Sequence, residues 1–237
     1  HKPYIVVAID GVYSMSAEYA SLPEYSALVK KYNALLYVDD AHGFGIIGES
    51  PASDKPYGYR GNGLVKYYGM DYAADHIIYV AGLSKAYSSY AAFATCFDKV
   101  MKQSFQMATP YIFSGPIPTA SIASGLAGLR VNGREGETIR DRLYRLSSKL
   151  VDGAKALGFE VDNQGGFPAV FVVTGGVDQT IRACQIAWEH GLLITPGVFP
   201  AVPIHRGGLR FSVTASNTEG EINVVLEALR KIRDEGL

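Results

Sequence analysis

In the first third of the chain, short apolar runs alternate with segments whose apolar residues recur every three or four positions. The runs predict β-strands over Tyr4–Ile9, Leu35–Val38 and Ile77–Val80. Ser21 and Glu24 form a capping-box pattern that predicts a helix start, and the apolar face of that helix comprises Leu22, Tyr25, Leu28, Val29 and Tyr32. Strands separated by helical segments predict a parallel sheet with right-handed crossovers.

The second half of the chain alternates helices and strands less regularly. Two helices are predicted first, over Ala120–Val131 and Glu135–Leu157, and the second has an apolar stripe opposite many charges. The following strands and helices are predicted over Ala169–Val173, Asp178–His190, Leu192–Thr195, Leu209–Val213 and from Thr218 onward. The whole pattern predicts an α/β protein: a mostly parallel sheet over 1–130 and a smaller α+β domain over 131–237.

Composition limits the classes of function. The chain is 48% hydrophobic and 19% charged, with a formal net charge of −1, which is typical of an ordinary soluble globular protein and gives no argument for a nucleic-acid partner. No apolar run approaches the length of a membrane span. Cys96 and Cys184 are far apart in apolar contexts, so we expect reduced, buried thiols in a cytoplasmic protein.

The chain begins with His1 rather than methionine, and the first strand-like run starts almost at once. A domain usually has some lead-in before its first strand. We therefore expect a further segment upstream, either as part of the same chain or as a separate chain.

Lys85 stands out among the charged residues. It follows the strand-like run directly after Gly82, and no acidic residue lies within nine positions of it in sequence. Small, mostly uncharged residues follow. A lysine in such a context either reaches for solvent or has its pKa lowered by desolvation. A neutral amine at this place would suit Schiff-base chemistry.

Polar side chains follow each of the three predicted strands. Ser14, Asp39 and Lys85 each come just past a strand's carboxyl end, where ligands bind in parallel sheets. Asp39, Asp40 and His42 could instead ligate a metal. Neighbouring residues of an extended chain point to opposite sides, however, and no second cluster with ligand spacing is present, so we predict no metal site. A structural alternative is that Asp40 caps the following loop and His42 is a core histidine.

A third interpretation joins these residues into one cofactor site. Pyridoxal phosphate needs a lysine for its Schiff base and a carboxylate that keeps its ring nitrogen protonated. Lys85 and Asp39 fit those two roles. His42 and Ser14 could donate to the ring oxygen, and Ser84 could donate to the phosphate.

The motifs around these residues resemble those of a known family, the pyridoxal-phosphate-dependent α-oxoamine synthases, which includes 8-amino-7-oxononanoate synthase, 2-amino-3-ketobutyrate CoA ligase and serine palmitoyltransferase. The most specific motif is Val-Asp-Asp-Ala-His-Gly followed about forty residues later by Ser-Lys. The matching segments are 10–15, 22–24, 38–49, 82–87, 113–118, 199–203 and 209–215. The likeness covers nearly the whole chain and implies the fold-type-I architecture of pyridoxal-phosphate transferases.

The resemblance implies a role for each residue. Lys85 would bind the cofactor and shuttle a proton, Asp39 would face the ring nitrogen, and His42 and Ser14 would contact the ring oxygen. Arg210 would bind the carboxylate of the amino-acid substrate, a task that suits a bidentate guanidinium. Three features depart from the family. Gly82 and Gly115 stand where hydroxyl residues usually help to hold phosphate, and the run 88–92 replaces the usual glycine-rich segment after the lysine. Phosphate binding is therefore expected to shift to Ser84, Ser88, Ser89 or Ser114.

The implied reaction condenses an amino acid with an acyl thioester of CoA or a carrier protein and releases carbon dioxide. The resemblance also implies a homodimer with the site at its interface, and a segment of well over a hundred residues upstream. Two alternatives remain at this stage. One is a class I/II aminotransferase, which shares the lysine and aspartate, and the other is a non-catalytic partner subunit of a synthase.

Overall fold

The computed structural model describes residues 5–95, 97–163 and 165–237. The chain forms two compact units. The first comprises residues 1–12 and 19–137, and the second comprises 13–18 and 138–237. The division into domains over 1–130 and 131–237 remains a prediction for the intact protein.

The first unit is built on a four-stranded sheet. Its strands are β1 (Val6–Asp10), β2 (Leu35–Asp39), β3 (Ile77–Gly82) and β4 (Ala92–Ala94), in that spatial order. The first three strands are parallel, and β4 pairs antiparallel with β3. The parallel arrangement predicted from the sequence is therefore confirmed for the three strands whose ends carry the candidate residues.

The helices of this unit are α1 (Leu22–Lys31), α2 (Leu64–Tyr67), α3 (Lys99–Met107) and α4 (Thr109–Ile112). Helix α1 contacts β2 and buries Leu22 and Val29. The helix starts where the Ser21 and Glu24 pattern predicts, but the capping box itself does not form, because the Ser21 side chain makes no capping hydrogen bond. Pro23 lies in the first turn. A proline supplies the helical φ angle there and has no N–H to satisfy.

A single helix, α5 (Thr119–Ala156), replaces the two helices predicted between residues 120 and 157. The prediction placed a break at Asn132 and Gly133. Residues 119–156 contain no proline, so nothing in the sequence removes a hydrogen bond of the helix. Glycine in a helix interior costs about 1 kcal/mol relative to alanine, which weakens the helix without ending it.

The second unit contains the rest of α5 and a three-stranded antiparallel sheet. Strands β5 (Ala169–Gly175), β6 (Thr195–Gly197) and β7 (Gly207–Ser212) lie in the order β5-β7-β6. Helices α6 (Val177–Glu189) and α7 (Glu219–Asp234) complete it. The strand predicted over Leu192–Thr195 is wrong in its bounds, since pairing begins only at Thr195.

Helix α7 starts at the capping box that the sequence predicts. The Thr218 hydroxyl accepts from the Glu221 amide at 3.2 Å, and the Glu221 carboxylate accepts from the Thr218 amide at 2.7 Å. These bonds satisfy two backbone donors at the helix start. The core of this unit is apolar, with side chains of zero exposure at Val170, Val172, Ala183, Leu209, Leu229 and Ile232.

Two glycines of α5 give a test of how this long helix packs. A Cβ at Gly133 would meet open space, whereas a Cβ at Gly128 would lie 2.8 Å from Cδ1 of Tyr87. We therefore expect Gly133→Ala to raise the free energy of unfolding by about 0.5–1 kcal/mol. Gly128→Ala should lower it, because the Tyr87 ring would have to move. Urea denaturation of both variants measures this, and a gain in both would contradict the packing of Tyr87 on α5.

Candidate active site

The carboxyl ends of β1 and β2 place two carboxylates side by side. Asp10 pairs in register with Asp39 across the two parallel strands, and Asp39 pairs in turn with Val80 of β3. Residues in register on neighbouring strands point to the same face of a sheet. Asp10 and Asp39 therefore share one face at the edge where the strands end.

Asp10 is a residue of this edge that sequence reasoning missed. The signal was present, since Asp10 ends the first strand as Asp39 ends the second, but Asp10 enters the sequence analysis only within the matching segment 10–15. Burial raises the pKa of Asp10, the neighbouring Asp39 raises it further, and Lys85 lowers it. Asp10 is thus within electrostatic range of both Asp39 and Lys85, which brings the two predicted cofactor residues to one place.

Asp39 and Asp40 point to opposite sides of the chain, as the alternation of an extended strand predicts. Asp39 is half-buried, and its Oδ1 accepts a hydrogen bond from the Ala41 amide at 3.0 Å. Asp40 is completely buried, and its Oδ2 accepts from the Leu64 amide and the Tyr79 hydroxyl, both at 2.7 Å. Only Asp39 therefore points to the face that it shares with Asp10.

Lys85 lies in the turn between β3 and β4 and is exposed. Of the two alternatives that the sequence left open, the structure shows the solvent-reaching lysine. The turn is closed by the Leu83 amide, which donates to the Ala91 carbonyl at 2.8 Å, and by the Ser89 amide, which donates to the Leu83 carbonyl at 3.1 Å. A primary amine presented on such a turn is accessible to an aldehyde ligand.

Two glycines let the Lys85 turn approach the loop that follows Asp39. A Cβ at Gly82 would lie 3.3 Å from Cβ of Ala41, which is the residue between Asp40 and His42. Gly45 has a φ of +92°, and a Cβ there would collide with the side chain of Ala86, next to Lys85. The backbone of the half-buried His42 loop therefore packs directly against the lysine turn.

The hydroxyl groups predicted to hold phosphate are not equally available. Ser89 is buried, and its hydroxyl donates to the Ser121 carbonyl at 2.6 Å, while the Ser114 hydroxyl donates to the Tyr111 carbonyl at 2.9 Å. Ser84 is exposed, as is Ser88, whose carbonyl accepts from the Ser124 hydroxyl at 3.0 Å. Ser84 and Ser88 are therefore the better donors to an added phosphate.

Arg210 and Ser14 belong to the second unit, where they contact each other. Nε of Arg210 donates to the backbone carbonyl of Ser14 at 3.0 Å, and Nη1 donates to the Ser212 hydroxyl at 2.9 Å. The guanidinium is half-buried, and burial lowers its pKa. These bonds fix the plane of the guanidinium and leave Nη2 without a hydrogen bond among the described residues.

The remaining sequence predictions concern cysteines, metals and membranes. Cys184 is half-buried rather than buried, and burial raises the pKa of its thiol. Cys96 lies outside the described residues. In the part of the chain that the structure describes, no group of three His, Cys, Asp or Glu side chains could hold a metal ion. No helix of that part has the length and apolarity that crossing a bilayer requires.

The residues at this edge fit pyridoxal phosphate by the chemistry of their side chains. An exposed primary amine and two exposed hydroxyl groups lie in the turn after β3, and a half-buried carboxylate lies at the carboxyl end of the neighbouring strand β2. Gly82 adds no hydroxyl, and the space above it is limited by Ala41. Gly115 is exposed and its missing side chain would meet open space.

The buried carboxylate of Asp40 makes the stability of the first unit depend on pH. Burial raises the pKa of Asp40 from 3.8 to about 6, although Leu64 and Tyr79 donate to it. The folded protein thus binds this proton more tightly than the unfolded chain does. The associated stabilisation is present below about pH 4 and is lost as the pH rises through about 6.

We therefore expect the free energy of unfolding to lose about 3 kcal/mol from this source across that window. Asp40→Asn cannot titrate and should lack this loss. Urea denaturation at several pH values, with the exposed Asp54→Asn as control, measures the difference between the variants and the wild type. The same pH dependence in wild type and Asp40→Asn would contradict the assignment.

Comparison with known proteins places the chain in a family. The model for aminotransferases of class I and II matches residues 1–229. The 8-amino-7-oxononanoate synthase of Nitrosococcus oceani is 31% identical over 228 residues, which are 96% of this chain and 57% of that protein. A putative 8-amino-7-oxononanoate synthase of Syntrophotalea carbinolica is 32% identical, over 96% and 55%.

Solved structures agree with this result. Serine palmitoyltransferase of Sphingomonas wittichii has a TM-score of 0.86 at 25% identity, over 99% of this chain and 56% of that one. A serine palmitoyltransferase with its pyridoxal phosphate internal aldimine has a TM-score of 0.85 at 26% identity, over 99% and 56%. The chain thus spans little more than half the length of the proteins it matches. The fold-type-I architecture implied by the sequence is confirmed, and the chain belongs to the class I and II aminotransferase family.

Proposed function

We propose that this chain is the cofactor-binding part of a pyridoxal-phosphate-dependent α-oxoamine synthase, which condenses an amino acid with an acyl thioester and releases carbon dioxide. The observation that carries the proposal is the proximity of an exposed lysine to a carboxylate pair at one sheet edge. Asp10 interacts electrostatically with both Asp39 and Lys85. A relative named 8-amino-7-oxononanoate synthase and a structural neighbour named serine palmitoyltransferase support the choice of reaction.

Five residues of the first unit would hold the cofactor in this proposal. Lys85 would bind its aldehyde carbon, Asp39 would hold the proton on its ring nitrogen, and Ser84 with Ser88 would donate to its phosphate. His42 would donate to the ring oxygen, and Ser14 is proposed for the same role. Bound pyridoxal phosphate supplies an electron sink for the amino-acid carbanion.

Lys85 and His42 are the proposed catalytic residues. Lys85 Nζ would bind the cofactor and would move a proton at the substrate's α-carbon, for which the amine must be neutral. The exposure of Lys85 leaves its side chain room to change position. His42 would polarise the carbonyl of the acyl thioester. Asp10, which shares the face of Asp39, adds negative charge that favours protonation of groups placed between them.

Arg210 would bind the carboxylate of the amino acid. Its guanidinium is fixed by the Ser14 carbonyl and the Ser212 hydroxyl. Nη2 has no hydrogen bond to any described residue and can therefore donate to a ligand. A positioned guanidinium binds a carboxylate with good directionality because its N–H groups are coplanar.

Partners and location follow from the same proposal. Helices α3 and α4 bury no residue, and the exposed apolar side chains on them and on the start of α5 are Val100, Phe105, Met107, Tyr111, Ile112, Ile122 and Leu126. An apolar surface of this kind favours a protein partner over water. We propose that a second copy covers it in a homodimer, that the intact protein has a further segment or chain upstream, and that it works in the cytoplasm.

A class I/II aminotransferase is the second candidate, since that is the description of the matching family model. It would use Lys85 and Asp39 in the same way and differ in its second substrate. A non-catalytic partner subunit remains an alternative from another class, and the retained Lys85 argues against it. Incubating the full-length protein with amino acid plus acyl-CoA, or with amino acid plus a 2-oxo acid, separates the two reactions by thiol release.

The Schiff base itself can be tested with Lys85→Ala. We expect the full-length protein to develop visible absorbance with pyridoxal phosphate, and the variant to lose both that band and the release of thiol. Lys66→Ala is a suitable control, because Lys66 is half-buried in α2 and forms an ion pair with Asp71 at 3.9 Å. Absence of the band in the full-length wild type, or its persistence in Lys85→Ala, would contradict the proposed function.

Arg210→Lys tests substrate binding. Lysine keeps the charge and loses the planar pair of donors, so the KM for the amino acid should rise about 10- to 100-fold. The affinity for pyridoxal phosphate should change far less than the KM, since among the described residues Ser14 is the only proposed cofactor residue that Arg210 contacts, and the contact is to its backbone carbonyl. Arg206→Lys is the control, because Arg206 pairs with Asp162 at 2.7 Å and also with Glu160. An unchanged KM would remove Arg210 from the substrate site.

A further inference from the structure

Asp40 is buried at the centre of the first unit, although it follows directly on the site residue Asp39. Its exposure is 0%, and its Oδ2 accepts two hydrogen bonds of 2.7 Å. One comes from the backbone of Leu64 at the start of α2, and the other from Tyr79 of β3. Oδ1 makes no hydrogen bond of normal geometry among the described residues. A buried carboxylate is costly, so its retention calls for a reason beyond packing.

Three glycines make room for this carboxylate. A Cβ at Gly11 would lie 2.6 Å from Oδ1, and a Cβ at Gly43 would collide with the same oxygen. A Cβ at Gly63 would lie 2.6 Å from Oδ2. Gly11 and Gly43 do not have left-handed φ angles, so their backbone conformation would allow a side chain. It is the lack of space next to Asp40 that excludes a side chain at these two positions.

The segments that meet at Asp40 are the ones that carry the site. Gly11 follows Asp10, Gly43 follows His42, and Tyr79 lies on the strand that leads to Lys85. The Asp40 amide also donates to the Val80 carbonyl at 2.8 Å, and its carbonyl accepts from the Phe44 amide at 2.9 Å. One residue thus connects the ends of β1, β2 and β3 and the loop between them.

We propose that Asp40 is a positioning residue for the cofactor site. Its hydrogen bonds to Leu64 and Tyr79 fix the turn 39–45, and this turn sets the orientation of the Asp39 carboxylate and the position of His42. That the turn serves a cofactor site rests on the proposed function. The structural part, a turn held by a buried carboxylate, stands without the cofactor.

Two variants and a control separate positioning from simple loss of stability. Asp40→Asn keeps the shape and removes the charge, and Tyr79→Phe removes one donor while keeping the Leu64 bond. Ser26→Ala is the control. It deletes a buried hydrogen bond of 2.7 Å to His76, which lies immediately before β3 and so at the opposite end of the strand.

The first measurement uses the full-length protein without cofactor. Hydrogen exchange of segment 39–46, followed by mass spectrometry, reports on the Ala41 and Phe44 amides that hold the turn. We expect exchange at least tenfold faster in Asp40→Asn and in Tyr79→Phe than their loss of global stability accounts for, and no such excess in Ser26→Ala. The second measurement is binding of pyridoxal phosphate, whose dissociation constant should rise at least tenfold in Asp40→Asn and little in Ser26→Ala.

The outcomes distinguish the two proposals. Exchange in 39–46 that rises only in step with global stability, as in Ser26→Ala, would overturn the positioning role. If Asp40→Asn does not fold, Tyr79→Phe decides the question by the same comparison. A wild type without a Lys85-dependent absorbance band would refute the proposed function. The exchange experiment would still decide whether Asp40 holds the turn, because it needs no cofactor.

Discussion

The in-register pairing of three parallel strands is the constraint on which the candidate site depends. Because β1, β2 and β3 run in the same direction, the residues that follow each strand emerge at one edge of the sheet. Asp10 and Asp39 then share a face, and the turn after β3 presents Lys85 nearby. Desolvation and the neighbouring carboxylate raise the pKa of Asp10, and Lys85 offsets only part of this rise. A shift of one strand by one residue would turn its acid to the other face.

Close approach of the loops above that edge is the second requirement, and small residues provide it. Gly45 leaves room for Ala86, and Gly82 leaves room for Ala41, so the loop after β2 and the turn after β3 lie in contact. Beneath them, the buried Asp40 carboxylate accepts hydrogen bonds from the Leu64 amide and the Tyr79 hydroxyl. The same glycine at position 82 that permits this contact offers no hydroxyl to a phosphate.

Much of this arrangement was predictable, because local patterns decide it. Strand alternation separates Asp39 from Asp40, and the structure places them on opposite sides. The Thr218 and Glu221 pattern starts α7 as expected, because both partners of that capping box are local in sequence. Lys85 was identified by its apolar surroundings, and its motif pointed to a family that the comparisons bear out at the level of class I and II aminotransferases.

The sequence by itself determined the three parallel strands and singled out Lys85, Asp39 and His42 as candidate residues, because periodicity and motifs are encoded in neighbouring residues. Only the tertiary structure decided which groups are available. Ser89 is bonded to the Ser121 carbonyl across 32 positions, and Asp40 to Leu64 and Tyr79 across 24 and 39. Such partners are far apart in sequence and are brought together by packing between elements. No local sequence pattern therefore shows which residues will hydrogen-bond to a buried group.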